Sequence, residues 1–303
     1  MSNQPLPTIA GHSGDAATSW TNFWFGVQQP KKALVVLRMG LAVISGWYFL
    51  SHFADAGKWF SSEGLLATTT LSQFFAAANL SDDAWWRISP LYLVDSALVL
   101  RAYLAVGIVL AVLSVIVKSS RIPALLLWLW CVWLANRSLM ISGPEELALC
   151  FGLAYLAIAS PPRLQHWTDS LALRLTQVHS LALIGFTGLT MLSSSVWWDG
   201  TGSVAAAAPI GRRTFDLTEI LSSAWLHESL THALVLTAII APVLIWFRKT
   251  QMATYIALMV WCAVVALLTS QWMYLATVAV LLQSTGPLAP SDCNRDCADR
   301  QNP

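Results

Sequence analysis

The sequence predicts an all-α protein: a polytopic transmembrane helix bundle of about seven spans, with further helices lying at the membrane surface. Three observations lead there. Of the 303 residues, 56% are hydrophobic and only 11% charged, whereas water-soluble domains carry about a quarter charged residues. Mean hydropathy is +0.59, and the apolar residues gather into runs near the ~20 residues that a helix needs to cross a bilayer. Most of the 16 tryptophans stand at the ends of those runs, as an aromatic belt at the lipid–water interface would.

Residues 1–30 are a polar N-terminal segment. Its first 19 residues lack the basic and apolar regions of a cleavable signal peptide. Trp20–Val27 (WTNFWFGV), just before Lys31-Lys32, reads as an aromatic helix on the membrane surface. A transmembrane domain occupies 31–285 and a polar tail 286–303. The first span is Ala33–Phe53. Gly64–Asn79 is semi-apolar and suits an interfacial or re-entrant helix. Leu91–Val117 is the second span, with Asp95 and Arg101 near its start. Ile122–Ile141 and Leu147–Ser160 are the third and fourth, the latter closed by Pro161-Pro162. Arg163–Thr176 reads as another surface helix ahead of the fifth span, Val178–Val196. Leu230–Phe247 is the sixth. Met252–Leu282 is long enough for one tilted helix or, broken near Ser270-Gln271, for two shorter ones.

Charge sorts the connections. With a cytoplasmic N-terminus and seven spans across the cell membrane, the inner side holds Lys31, Lys32, Lys118, Arg121, Arg163, Arg174, Arg248 and Lys249, and most acids face outward. The short turns follow the positive-inside rule best. The C-terminal tail is then outside, where Cys293 and Cys297 either form a disulfide or remain two idle thiols. Cys131, Cys150 and Cys262 lie in apolar runs and act as small hydrophobes. The basic residues form no patch of the kind that binds nucleic acid.

Arg38, Asp95, Arg101 and Arg137 lie in or near apolar spans, where a charge is costly and turns to a protein interior or a wet cavity. Asp95 and Arg101 are six residues apart and cannot pair easily on one helix, so each needs a partner elsewhere. With Glu145, Glu146, Trp198, Asp199, Glu228 and His232 they make a candidate polar cavity open to the outer side. The competing reading is a set of structural ion pairs that fixes helix register. His227–His232 (HESLTH) is not the zinc motif HExxH, because its histidines are five apart rather than four. Glu228 and His232 share a face, but two ligands do not make a metal site.

The order of features from Leu37 onward resembles the horizontally transferred transmembrane domain proteins, which are similar to the membrane domain of vitamin K-dependent gamma-carboxylase. The resemblance covers residues 30–285 and rests on five stretches. These are Leu37–Leu41, the turn at Trp59–Leu65, Gly107 with the basic Lys118–Arg121 turn, Ala135–Arg137 with Ser142–Leu147, and Leu175–Gly200 (LTQVHSLALIGFTGLTMLSSSVWWDG). The resemblance implies that a carboxylase would carry its catalytic lysine at Thr190 or Met191. Neither side chain titrates near neutral pH, so gamma-carboxylase activity is not expected, and the large lumenal domain of the carboxylase has no counterpart in this sequence.

Two functions remain. One is a binding or scaffold subunit of a membrane complex, whose partner is another membrane protein. The other is a membrane enzyme acting on a quinone, lipid or exported peptide, with His52, His227 or His232 in place of lysine. A transporter is disfavoured because neither paired repeats nor matching broken helices are present. The residues identify no cofactor. An enzyme needs a cavity lined by unpartnered polar groups, whereas a scaffold neutralises Asp95, Arg101 and Arg137 with neighbours.

Overall fold

The computed structural model describes residues 20–25, 31–77, 89–117, 121–138, 143–159, 166–207, 215–217 and 219–286, all of them helix, turn or connecting segment. In chain order the helices are α1 over residues 20–25, α2 (Lys31–Phe53), α3 (Ala56–Phe60), α4 (Thr68–Ala77), α5 (Ala97–Ile116), α6 (Ile122–Arg137), α7 (Pro144–Ile158), α8 (His166–Leu192), α9 (Ser195–Trp198), α10 (Gly202–Ala207), α11 (Ala224–Leu244), α12 (Gln251–Thr269) and α13 (Trp272–Leu282). Short 3-10 turns occupy Pro90–Leu93 and Ile220–Ser222.

Five of these helices, α2, α5, α8, α11 and α12, are long and apolar enough to cross a membrane. Their outward faces leave Val43, Trp47, Ile116, Phe186 and Val243 exposed. Apolar stripes repeated on helix after helix are stable against lipid and not against water. The chain is therefore a membrane-embedded helical bundle.

Two clusters of buried side chains hold the bundle together. One joins α2, α3, α5, α6 and α7 through residues such as Leu37, Phe49, Leu104, Leu127 and Leu149. The other joins α8, α11, α12 and α13 through Ile184, Ala238, Leu258, Trp261 and Leu275. Helix α13 links them: Leu281 belongs to the first cluster, Val278 and Leu282 to the second. Its 11 residues rise only about 16 Å, but it packs against α2, α7, α8 and α12 and so has protein rather than lipid around it. Polar tips tie neighbouring helices as well. The Tyr103 hydroxyl donates to the Trp130 carbonyl at 2.6 Å, the Trp130 indole returns a bond to the Tyr103 carbonyl at 3.0 Å, and the two rings stack. Trp128, Trp130 and Trp133 thus pack against the core.

Within the expected aromatic segment, residues 20–25 are helical, as α1. Arg174 donates to the Phe23 carbonyl at 2.9 Å and lies over the Phe23 ring, while Phe23 meets Trp246 and Phe25 meets Trp167. These contacts dock α1 where α8 begins and α11 ends. We call this the basic end of the bundle, and the opposite one, which carries α3, α4, α9 and α10, the loop end.

Four expectations change. The first is the topology, because 252–282 takes the broken one of its two expected forms: Ser270 adopts the left-handed conformation (φ 56°) and ends α12. Helix α13 then returns beside α12, so that the Tyr255 hydroxyl donates to Gln283 at 2.9 Å and the Gln251 amide to the Thr285 carbonyl at 3.1 Å. Residue 286 therefore lies at the basic end with α1. This does not fit seven spans with the two ends on opposite sides. Second, residues 166–176 are not a separate surface helix: α8 runs unbroken from His166. Its polar Gln177 is buried because it donates to the Ser284 carbonyl and accepts from Arg174. Third, the second spanning helix starts at Ala97, with Asp95 in the extended segment before it. Fourth, α11 starts at Ala224, so HESLTH lies within its first turns. The polar segment 1–19, the basic residues Lys118 and Arg163, and Cys293 and Cys297 fall outside the described residues.

Candidate functional site

Helix α6 ends at the loop end, and the last carbonyls of any helix need donors from outside it. Ser89 supplies one to the Trp133 carbonyl at 2.8 Å, and the Tyr92 hydroxyl another to the Asn136 carbonyl at 2.7 Å. These bonds bring the segment before α5, and with it Asp95, against the end of α6. Arg137 is the last residue of α6, where a cation also suits the helix dipole. Its side chain is completely buried. Nη2 donates to Asp95 Oδ1 at 3.1 Å and to the Phe60 carbonyl at 3.4 Å. The guanidinium carbon lies 5.9 Å from the centre of the Phe60 ring.

Asp95 has a second task. Its carboxylate accepts from the Thr68 amide at 3.2 Å and from the Thr68 hydroxyl at 2.5 Å. Thr68 opens α4, so Asp95 caps that helix from another part of the chain and satisfies one of its orphan N–H groups. One carboxylate therefore fastens α4 and α6 to the start of α5, and Arg137 adds α3 through the Phe60 carbonyl.

A second polar cluster closes the other half of the loop end. Gly200 has φ +77°, and a Cβ there would lie 2.8 Å from Glu228 Cγ. Only glycine fits this turn without strain. The Gly200 carbonyl faces the Thr231 hydroxyl at 2.9 Å and the His227 Nδ1 at 3.1 Å. Thr231 also lies 2.7 Å from the His227 carbonyl and accepts from the Ser203 amide at 3.0 Å, and the Ser203 hydroxyl donates to the His227 carbonyl at 3.1 Å. The Trp-Trp-Asp-Gly turn and HESLTH are thus one structural unit.

The remaining candidates do not converge on one cavity. Arg38 lies toward the basic end, in electrostatic contact with Asp169. Arg101 is exposed on α5 and forms no ion pair with a described residue. Glu146 is buried and accepts from the Gly143 amide at 2.7 Å, capping its own helix beside Glu145. Trp198, Asp199, Glu228 and His232 are exposed. Trp198 donates to the Leu192 carbonyl at 2.6 Å, and the His232 ring bonds the Glu228 carbonyl at 2.8 Å. His52 bonds the Tyr48 carbonyl at 2.9 Å. Each of these histidines is held by a backbone carbonyl. The exposed Lys58 ammonium, hydrogen-bonded to Asp55 at 2.8 Å, is held above its ordinary range by that bond and by the carboxylate's charge.

Sequence reasoning missed Thr68, Phe60, Ser203 and Thr231. It also missed His179, whose Nδ1 lies 2.9 Å from the Tyr155 hydroxyl between α7 and α8. A groove of about 340 Å³ between α8 and α11 is lined by Leu181, Gly185, Phe186, Ile239, Pro242 and Val243, and its apolar walls suit lipid chains. Set against known proteins, the chain matches no family model, no curated protein and no solved structure.

Proposed function

We propose that this membrane protein is a binding or scaffold subunit of a membrane complex, related to the horizontally transferred transmembrane domain proteins but without the carboxylase reaction. One observation supports this most directly. The buried charge of Arg137 is balanced by Asp95, and that same pair ties α3, α4, α5 and α6 together, which is what a structural ion pair does. The position implied for a catalytic lysine fits the reading. Thr190 spends its hydroxyl on the Phe186 and Thr187 carbonyls of its own helix, and Met191 is buried in the core.

The orientation we propose places the basic end in the cytoplasm, with both α1 and the segment after residue 286 on that side of the cell membrane. Ten of the 17 Lys and Arg residues then fall inside and five outside, with Arg38 and Arg101 within spans. This is a clearer positive-inside bias than seven spans give. A reducing cytoplasm would keep Cys293 and Cys297 as thiols.

Purification in mild detergent, with mass spectrometry of everything that stays bound, tests the function. A membrane protein recovered at fixed stoichiometry is the expected result. Recovery of a quinone or peptide turned over by the purified chain would overturn the scaffold reading. Labelling of Cys293 and Cys297 by an impermeant thiol reagent in reduced intact cells would overturn the orientation.

A further inference from the structure

A guanidinium carries five N–H donors, and Arg137 uses few of them. Nη2 reaches Asp95 and the Phe60 carbonyl, but Nε and Nη1, both buried, meet no acceptor among the described residues. Charged donors left unmet out of water are costly, and such a group calls for an explanation. The Phe60 ring lies over the guanidinium at 5.9 Å and gives it a cation–π contact but no hydrogen-bond acceptor for these nitrogens.

Asp95 is the accessible member of the pair: the Arg137 side chain is fully buried, but that of Asp95 is 29% exposed. Leu93 and Leu98, two residues before it and three after, are 90% and 77% exposed. An anion that reaches the pair from the exposed side meets the carboxylate before the arginine. Guanidinium groups are suited to the planar or tetrahedral oxygens of carboxylates and phosphates.

We propose that Arg137 is the anion-binding residue of a loop-end site that takes an oxyanion, carboxylate or phosphate, reached past the partly exposed Asp95. Asp95 is the resident competitor: it holds the site closed through one arginine nitrogen and yields, or shares, when an oxyanion supplies acceptors to Nε and Nη1. The inference goes beyond the scaffold reading and needs no partner protein, so the two fail separately.

The test uses the full chain, purified in neutral detergent. Thermal unfolding is followed by tryptophan fluorescence with inorganic phosphate, oleate or phosphatidylglycerol, against chloride and phosphatidylcholine at constant ionic strength. Binding to the native state raises the midpoint. Asp95→Asn keeps a polar partner for Thr68 but removes the competing charge, so it should bind the effective oxyanion about tenfold more tightly than the wild type. Arg137→Gln should lose the response, and Arg101→Gln, which removes an exposed cation of the same region, should keep it. A response to inorganic phosphate identifies a free anion as sufficient, and a response to oleate or phosphatidylglycerol alone identifies a lipid headgroup. No shift with any oxyanion in either the wild type or Asp95→Asn overturns the proposal, as does equal affinity in the two. Should Arg137→Gln fail to fold, the ratio between the wild type and Asp95→Asn decides by itself.

Discussion

The two polar clusters that close the loop end solve the same problem with different chemistry. Around Gly200 the groups are short, and the hydroxyls of Thr231 and Ser203 carry no charge. Thr231, Ser203 and His227 lie within 3.1 Å of the carbonyls and amide they serve, and the turn is closed without burying a charge. Around Arg137 a full charge is buried against a partly exposed carboxylate, and two nitrogens meet no acceptor among the described residues. Neutral hydrogen bonds cost little to desolvate and contribute about 1 kcal/mol each. A buried ion pair offsets a desolvation cost of several kcal/mol only when its remaining donors are filled. The Gly200 cluster is therefore complete as a structural closure, whereas the Arg137 cluster is not, and this difference singles it out as the place for a ligand.

Removing one partner from the ionic cluster should give the largest effect. Asp95→Ala strands the Arg137 charge and uncaps α4, and should destabilise the bundle by about 3 kcal/mol. Thermal or denaturant unfolding in detergent would measure it. The paired change Asp95→Asn with Arg137→Met removes both charges and keeps a contact for Thr68, so it should return to within about 1 kcal/mol of the wild type. A double variant as weak as Asp95→Ala would mean that the pair stabilises by more than charge neutralisation.

The neutral cluster should respond less. Gly200→Ala forces a Cβ into the left-handed region and against Glu228, and should cost about 2 kcal/mol. Thr231→Val keeps the shape but leaves the Ser203 amide without its acceptor, at about 1 kcal/mol. Equal losses from Gly200→Ala and Asp95→Ala would erase the contrast between the clusters.

The ionic cluster was half legible in the sequence. Asp95 and Arg137 stand out because charges in apolar runs need partners, and the six-residue gap to Arg101 excludes an easy pairing along one helix. Thr68 was not legible, because a threonine within Ala67-Thr68-Thr69-Thr70 gives no sign that its amide is capped by a residue 27 positions away. Charge alone groups Arg38 with the others, and the fold places it with Asp169 at the opposite end. The neutral cluster was hidden for another reason. HESLTH drew attention to its histidines, whereas the residue that organises the turn is Thr231, four positions after His227. The break at Ser270 was legible as a polar pair inside a long apolar run. The unbroken start of α8 was not, because Arg174 and Gln177 look like surface residues until Phe23 and Ser284 provide their partners.

Arg101 sets the lower limit of the comparison. It shares the sign of Arg137 and sits near the same end of the bundle, yet it is exposed and forms no ion pair with a described residue. A long cationic side chain near a helix end can reach the interface and keep its water. Its charge therefore has no desolvation to offset and no neighbour to lose. Arg101→Gln should shift stability by less than about 0.5 kcal/mol, measured under the same unfolding conditions as Asp95→Ala. A loss approaching that of Asp95→Ala would place Arg101 in a buried network of its own. The distinction drawn between the clusters would then rest on helix end rather than on burial. A negligible loss would leave burial, and not charge, as the property that makes Arg137 sensitive.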